Sequence, residues 1–304
     1  MKAMTVAAPG LGVESMTLAD VEYPHTAEND VIVRVHAAGF TTGELTWPGT
    51  WIDRAGKDRT PSVPGHEVAG VVSELGYGTT GLTVGQRVFG LTDWTRNGSL
   101  AEYTAVEARN LAPLPVSVGF VDAAALSISG LTSLQGLFQH ARLATGQSVL
   151  IHGAGRGVGS IAVQLAQEAG AWVIGTGRAT DEDTVVGLGA NEFLDLQRDR
   201  LEDVGQVDVV FDVIGGDVFE RSLGVLRPGG RIVTLPGPPA RQPEDGLALY
   251  FVVEPNRPQL ADLARRLQDG RLRTVVGAVR PLEEAAAAFV SGRHTPGKTI
   301  ISVG

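Results

Sequence analysis

The 304-residue chain contains no cysteine. That absence excludes disulfides, thiolate nucleophiles, iron–sulfur clusters and every zinc site built on a Cys ligand. Lysine is nearly missing as well: Lys2, Lys57 and Lys298 are the only three, so the basic side chains are almost all arginine. With abundant Ala and Gly, this composition suggests a high-GC bacterial genome. Positive charge is in deficit. The 25 Lys and Arg residues stand against 34 Asp and Glu, for a formal net charge of −9, which is the wrong sign for a protein whose main partner is nucleic acid. No apolar run approaches the roughly 18 residues of a membrane span. The first ten residues lack the apolar core of a secretory signal, which makes the cytosol the expected compartment.

What is present is enough for two folded domains at this length. The first ~115 residues carry short strands between turn signals, in the pattern of a small, mostly antiparallel barrel or sandwich. Val31–His36, Glu67–Leu75, Gln86–Gly90 and Ala101–Val106 are the clearest. From Gln147 onward strands and helices alternate. The strands are Ser148–His152, Ala171–Gly175, a short one near Phe193, Val207–Val213 and Arg231–Leu235, with helices between them. That βαβα series predicts a doubly wound parallel sheet. Pro236–Pro243, with four prolines, reads as a long exposed loop. The apolar run Leu247–Val253 reads as a sheet edge through which two copies could form a homodimer.

The most informative stretch is Ile151-His152-Gly153-Ala154-Gly155-Arg156-Gly157-Val158-Gly159, a strand running into a glycine-dense turn and then a helix. Residues without Cβ let backbone N–H groups approach a pyrophosphate, and the helix N-terminus adds about half a positive charge there. The context makes it a dinucleotide site rather than a plain turn. Gly155, Arg156, Gly157, Val158 and Gly159 are its candidate contacts. Arg156 stands where the second glycine of Gly-x-Gly-x-x-Gly is expected; its side chain either clashes with the pyrophosphate or points outward and pairs with it, and we favour pairing. The second strand ends Thr176-Gly177-Arg178. An NAD site usually has an acid at that point, whereas a guanidinium there can fork a 2′-phosphate, so NADPH is the expected cofactor. Asp181-Glu182-Asp183 follow, and would repel that phosphate if they folded back.

Taken together, these pieces resemble the medium-chain dehydrogenase/reductase superfamily, in its zinc-independent quinone oxidoreductase-like branch. The motifs are Val33–Gly39, Pro64-Gly65-His66-Glu67-Val68-Ala69-Gly70, Val84–Gly90, Gly130-Leu131-Thr132, the glycine turn, Leu226–Arg231 and Gly297–Ile300. The resemblance implies an α/β protein with a GroES-like β-barrel domain over residues 1–117 and 272–304, and a Rossmann doubly wound sheet over 118–271 binding NADPH in a cleft. It places Thr132 near the nicotinamide carboxamide and takes in Val213 and Pro236 as further cofactor contacts.

Zinc-dependent relatives hold their catalytic metal with two Cys and a His. His66 matches the His, but Phe40 or Thr41, and a residue near Ile128, stand where the thiolates would be, so no metal is expected and His66 reads as a packing or hydrogen-bonding residue. Quinone reductases usually carry an Asn, an Asp and a Tyr after the Ala-Gly element. Here the stretch is Phe40-Thr41-Thr42-Gly43-Glu44-Leu45-Thr46-Trp47, with Thr41 in place of the Asn, Glu44 where the acid falls, and no tyrosine. Thr41, Thr42 and Glu44 are the candidate catalytic residues, and Trp47, Trp51 and Trp94 either line the substrate site or serve as packing. The expected chemistry is hydride transfer to a quinone or an α,β-unsaturated carbonyl, with hydroxyl or backbone donors holding the developing oxyanion and water supplying the proton. The alternative is an NADPH-binding sensor or structural protein with little turnover.

Overall fold

A computed structural model describes residues 1–291 and 297–304; residues 292–296 of the stretch expected to complete the first domain lie outside the described residues. The chain folds into two compact units. One comprises Met1–Ile128 with Pro255–Gly304, the other Ser129–Glu254.

The first unit starts with the antiparallel pair β1 (Lys2–Val6) and β2 (Met16–Asp20). Next come β3 (Asp30–Gly39), the short helix α1 (Pro48–Trp51), β4 (Glu67–Leu75), β5 (Arg87–Leu91), β6 (Tyr103–Glu107) and β7 (Leu111–Pro113). β-branched residues on the inward faces explain the strands: Val31, Val33, Val35, Val68, Val72, Val88 and Val106 share one buried cluster with Phe40, Trp51 and Leu100. The helix α2 (Phe120–Leu134) follows.

The second unit holds six parallel strands. They are β8 (Ser148–Ile151), β9 (Trp172–Gly177), β10 (Glu192–Asp195), β11 (Val207–Asp212), β12 (Leu226–Thr234) and β13 (Gly246–Tyr250), in the spatial order β10-β9-β8-β11-β12-β13. The helices α3 (Gly157–Glu168), α4 (Glu182–Gly187) and α5 (Gly216–Ser222) connect them. Val149, Leu150 and Ile151 are fully buried, as a strand covered on both faces requires. The strand order reverses between β8 and β11, and in such sheets ligands bind outside the carboxyl ends at that reversal. The end of α2 passes into a π-helical turn, Gln135–His140. A Cβ on Gly136 would collide with the Phe211 ring of β11, so glycine lets this turn close onto the sheet.

The chain then returns to the first unit through α6 (Arg257–Gln268), β14 (Val276–Pro281), α7 (Ala285–Ser291) and β15 (Lys298–Ser302). β15 pairs antiparallel with β3, matching Ile301 to Ala38. The main sheet of this unit runs β14-β15-β3-β4-β5-β7, with β6 also on β3. This compact unit also takes in residues 118–128 and 255–271. The reason lies in particular bonds. Arg257 Nη2 donates to the Ala108 carbonyl, and Thr274 Oγ1 donates to Asp122 Oδ1 at 2.5 Å. Among the described residues, no helix is long and apolar enough to cross a membrane.

Candidate functional site

The glycine turn sits at the carboxyl end of β8. Gly153 has φ +65, open to glycine and costly for most residues. Ala154 N donates to Thr176 O at 2.9 Å, which ties the turn to β9. A Cβ on Gly159 would fall inside contact distance of the Gly153 carbonyl oxygen and 2.8 Å from Ala154 Cα, so only glycine allows α3 to pack this closely on the turn. Arg156 is the N-cap of α3 in an extended conformation, and among the described residues no side chain caps the helix. The first-turn N–H groups of α3, from Gly157, Val158 and Gly159, therefore lack the usual side-chain acceptor and are suited to an anionic ligand. Arg156, Gly157 and Val158 are half-buried at this rim.

The other nucleotide-side candidates gather around the same strand ends. Val213 packs against Gly153, where its Cγ2 would lie 2.6 Å from an added Cβ. Asp212, fully buried, accepts hydrogen bonds from Ile214 N, Gly215 N and Thr234 Oγ1, all at 2.9 Å, and so shapes the turn after β11. Pro236 lies against Gly215 of that turn. Thr132 is 6% exposed. Its neighbour Ser133 bonds the Val158 carbonyl at 2.9 Å, which fixes α2 to the start of α3.

Thr176 differs from the rest. It has no exposed surface, and its hydroxyl is 2.9 Å from His152 Nδ1. On the other side His152 Nε2 lies 2.8 Å from Ser222 Oγ. Because Ser222 Oγ donates to the Val218 carbonyl at 2.6 Å, Nε2 must be the donor and Nδ1 the acceptor from Thr176. Burial holds the His152 imidazole down to about 4, consistent with this neutral tautomer. Of the β9 terminus, only Gly177 and Arg178 reach solvent. The strut Thr176–His152–Ser222 is invisible in the sequence, since its members are 24 and 70 residues from one another.

In the first unit, Glu44 is fully buried. Its two carboxyl oxygens accept hydrogen bonds from Thr41 N at 3.1 Å and Gly65 N at 2.6 Å, so it clasps the 41–44 turn to the Pro64-Gly65-His66 segment. Burial pushes this carboxyl up to about 8, against the downward pull of those two bonds. Glu44 thus has no surface on which to meet a substrate, and the Thr41 N–H is already used. The Thr41 and Thr42 hydroxyls are half-buried and make no hydrogen bond among the described residues.

His66 is 1% exposed; its Nδ1 lies 2.8 Å from Thr92 Oγ1, and its Nε2 has no hydrogen-bond partner among the described residues. Trp94 stands edge-on to the imidazole at 5.1 Å, and Trp47 stacks near it at 6.1 Å. Burial holds this imidazole down to about 3, so it is neutral. Trp51 instead belongs to the core, with its Nε1 donating to the Leu45 carbonyl at 3.0 Å. Behind His66, Glu67 is also fully buried; it accepts from Ile128 N at 2.8 Å and pairs with Lys298. A Cβ on Gly39 would collide with the Glu67 carboxylate, the one local hint in the sequence that something sits there.

This donor set does not fit a zinc ion. Among the described residues, no group of three or more His, Asp and Glu side chains is placed to hold a metal. Phe40 is stacked on Phe289 at 4.1 Å, and Ile128 is buried, so apolar packing occupies the positions where thiolates would be needed.

Comparison with known proteins agrees with this architecture. The model of the alcohol dehydrogenase GroES-like domain matches residues 27–116, and that of the zinc-binding dehydrogenases matches residues 188–301. The quinone oxidoreductase of Sus scrofa is 33% identical, over 95% of this chain and 93% of its own length. The chloroplastic NADPH-dependent alkenal/one oxidoreductase of Arabidopsis thaliana is 31% identical, over 95% of this chain and 76% of its own length. The solved structure of the quinone oxidoreductase from Coxiella burnetii superposes with a TM-score of 0.92 at 27% identity, covering 100% of this chain and 99% of that one. The chain belongs to the medium-chain dehydrogenase/reductase superfamily, in its quinone oxidoreductase-like branch.

Proposed function

We propose that this protein is a cytosolic, NADPH-dependent oxidoreductase that reduces quinones or α,β-unsaturated carbonyl compounds without a metal, and that two copies associate through β13. The observation that carries the cofactor assignment is Arg178, an exposed residue directly after β9, where no carboxylate stands. Gly155, Gly157, Val158 and Gly159 cradle the pyrophosphate through their backbone, with Arg156 at the rim. Gly177 lets the ribose approach, Arg178 forks the 2′-phosphate, and Val213, Pro236 and Thr132 border the path to the nicotinamide. NADPH, when bound, supplies the hydride. The Thr41 and Thr42 hydroxyls, which make no hydrogen bond among the described residues, donate to the substrate oxygen as negative charge develops on it; one well-placed donor of this kind is worth about 2.7–4 kcal/mol. Glu44 holds those threonines in place, and water supplies the proton.

The test is a titration with NADPH and with NADH, followed by 9,10-phenanthrenequinone while nicotinamide absorbance is monitored. Tight NADPH binding and quinone-dependent oxidation are expected. Arg178→Ala should weaken NADPH binding by about ten- to a hundredfold and leave NADH unchanged, the scale of a charge-assisted hydrogen bond. Binding without oxidation of NADPH by any quinone or enone would favour a sensor role, and no binding of either nucleotide would sink the assignment.

A further inference from the structure

We propose that Asp181 is the residue that positions Arg178 for the 2′-phosphate, so that selection of NADPH depends on a buried carboxylate as well as on the guanidinium. The inference rests on the reading of Arg178 given above. Arg178, Ala179, Thr180, Glu182 and Asp183 are all exposed, yet Asp181 in their midst is only 5% exposed. Its Oδ2 accepts the Arg178 N–H at 3.1 Å, and its own N–H donates to the Arg178 carbonyl at 2.8 Å. One residue therefore holds both backbone polar groups of Arg178.

The carboxylate is also wedged against the nucleotide turn. A Cβ on Gly155 would lie 2.8 Å from both Asp181 Cβ and Cγ, and one on Gly177 would lie 3.0 Å from Oδ2. Glycine at these two positions makes room for Asp181, in addition to any room it makes for a ligand. The wedge sets the separation between the glycine turn at the end of β8 and the arginine at the end of β9. Those two points must be spaced to take a pyrophosphate and a 2′-phosphate of the same nucleotide. Near a phosphate, a carboxylate is electrostatically unfavourable. Its presence is explained by the hydrogen bond it accepts, which a neutral acceptor of the same shape can also provide.

The experiment measures binding of adenosine 2′,5′-bisphosphate and of AMP, alongside NADPH and NADH, to the full-length wild type and to Asp181→Ala and Asp181→Asn, with thermal melts as a check on folding. Asp181→Ala should weaken adenosine 2′,5′-bisphosphate and NADPH about tenfold and leave AMP and NADH within twofold. Asp181→Asn, which keeps an acceptor oxygen and loses the charge, should bind the 2′-phosphorylated ligands at least as tightly as wild type. If Asp181→Ala does not fold, Asp181→Leu, which fills nearly the same space and has no acceptor for the Arg178 N–H, should show the same split. Equal weakening of all four ligands, or Asp181→Asn behaving like Asp181→Ala, would mean a structural role only and overturn the proposal. So would tighter binding of adenosine 2′,5′-bisphosphate to Asp181→Ala, which would make the carboxylate a repulsive selector. A wild type that does not distinguish adenosine 2′,5′-bisphosphate from AMP would instead remove the Arg178 reading, and this proposal with it.

Discussion

At the scale of single residues, Glu44 shows what burial does to a group whose type alone suggests catalysis. The sequence places an acid beside two threonines. Its burial, and the capture of both its oxygens by Thr41 N and Gly65 N, follow from β4 and the 41–44 turn meeting in space, which no local pattern encodes. With its carboxyl raised by burial to about 8, the folded chain retains a proton that the unfolded chain gives up above about 4.5. Stability from this group is therefore greatest at low pH and falls as pH rises through 8. His66 and His152 are depressed by burial to about 3 and about 4. Their contribution is complete above an ordinary histidine value near 6.5 and is lost only on acidification. The window from pH 6.5 to 9 thus isolates Glu44. The melting temperature of the wild type should fall by several degrees across it, while Glu44→Gln, lower overall because its amide N–H₂ faces a backbone donor, should be nearly flat. A wild-type curve level from 6.5 to 9 would show that Glu44 titrates normally. Asp181 was legible only as one of three acids, because which of them turns inward depends on the glycines it meets.

At the scale of elements, the strand–turn–helix from β8 through α3 was readable because its signals are local: an apolar run, glycines, then a helical period. Glu67–Leu75 is a strand over the same residues in sequence and structure. Other boundaries moved for physical reasons. The strand expected over Arg231–Leu235 begins earlier, at Leu226, and takes in Pro228-Gly229-Gly230, where Gly229 has φ +75 and the pairing with β11 shifts register between Val207 and Val209. The amphipathic period of α6 reveals that one face is buried but not against what, so its place in the first unit was not legible. The π-helical turn after α2 has no sequence signature beyond Gly136. The test at this scale is Gly159→Ala. Its methyl group would overlap the Gly153 carbonyl and force α3 away from the turn, at a cost of about 1–3 kcal/mol by the usual measure of overpacking. NADPH affinity should fall at least tenfold. Gly224→Ala, where an added Cβ meets nothing within 4 Å, is the matched control and should change neither. Equal behaviour of the two variants would mean that the close approach of α3 to the turn is not required.

For the whole molecule, the question is whether the edge of the parallel sheet is offered to a second copy. β13 ends the sheet, and Leu247, Tyr250 and Val252 are 42%, 39% and 56% exposed there, an apolar surface that favours association. Two features oppose it. Gln242 donates from Nε2 to the Ala248 carbonyl and accepts the Ala248 N–H at Oε1, both at 2.9 Å, so its side chain occupies the outward-facing backbone groups at the middle of the strand. That is a guard on an edge, and continuous pairing with another β13 has to displace it. Each copy also carries a net charge of −9, which repels a second copy at low ionic strength and is screened at high. A dimer through β13 should therefore strengthen between about 0.02 and 0.5 M salt, where the Debye length falls from about 20 Å to less than 5 Å. Gln242→Ala, by clearing the backbone groups of Ala248, should tighten it, and Leu247→Lys, by placing a charge in the apolar patch, should break it. Light scattering behind a sizing column reads all three directly. If wild type, Gln242→Ala and Leu247→Lys all elute as monomers at micromolar concentration and high salt, β13 is a guarded edge rather than an interface. If all three are equally dimeric, the contact lies on another face.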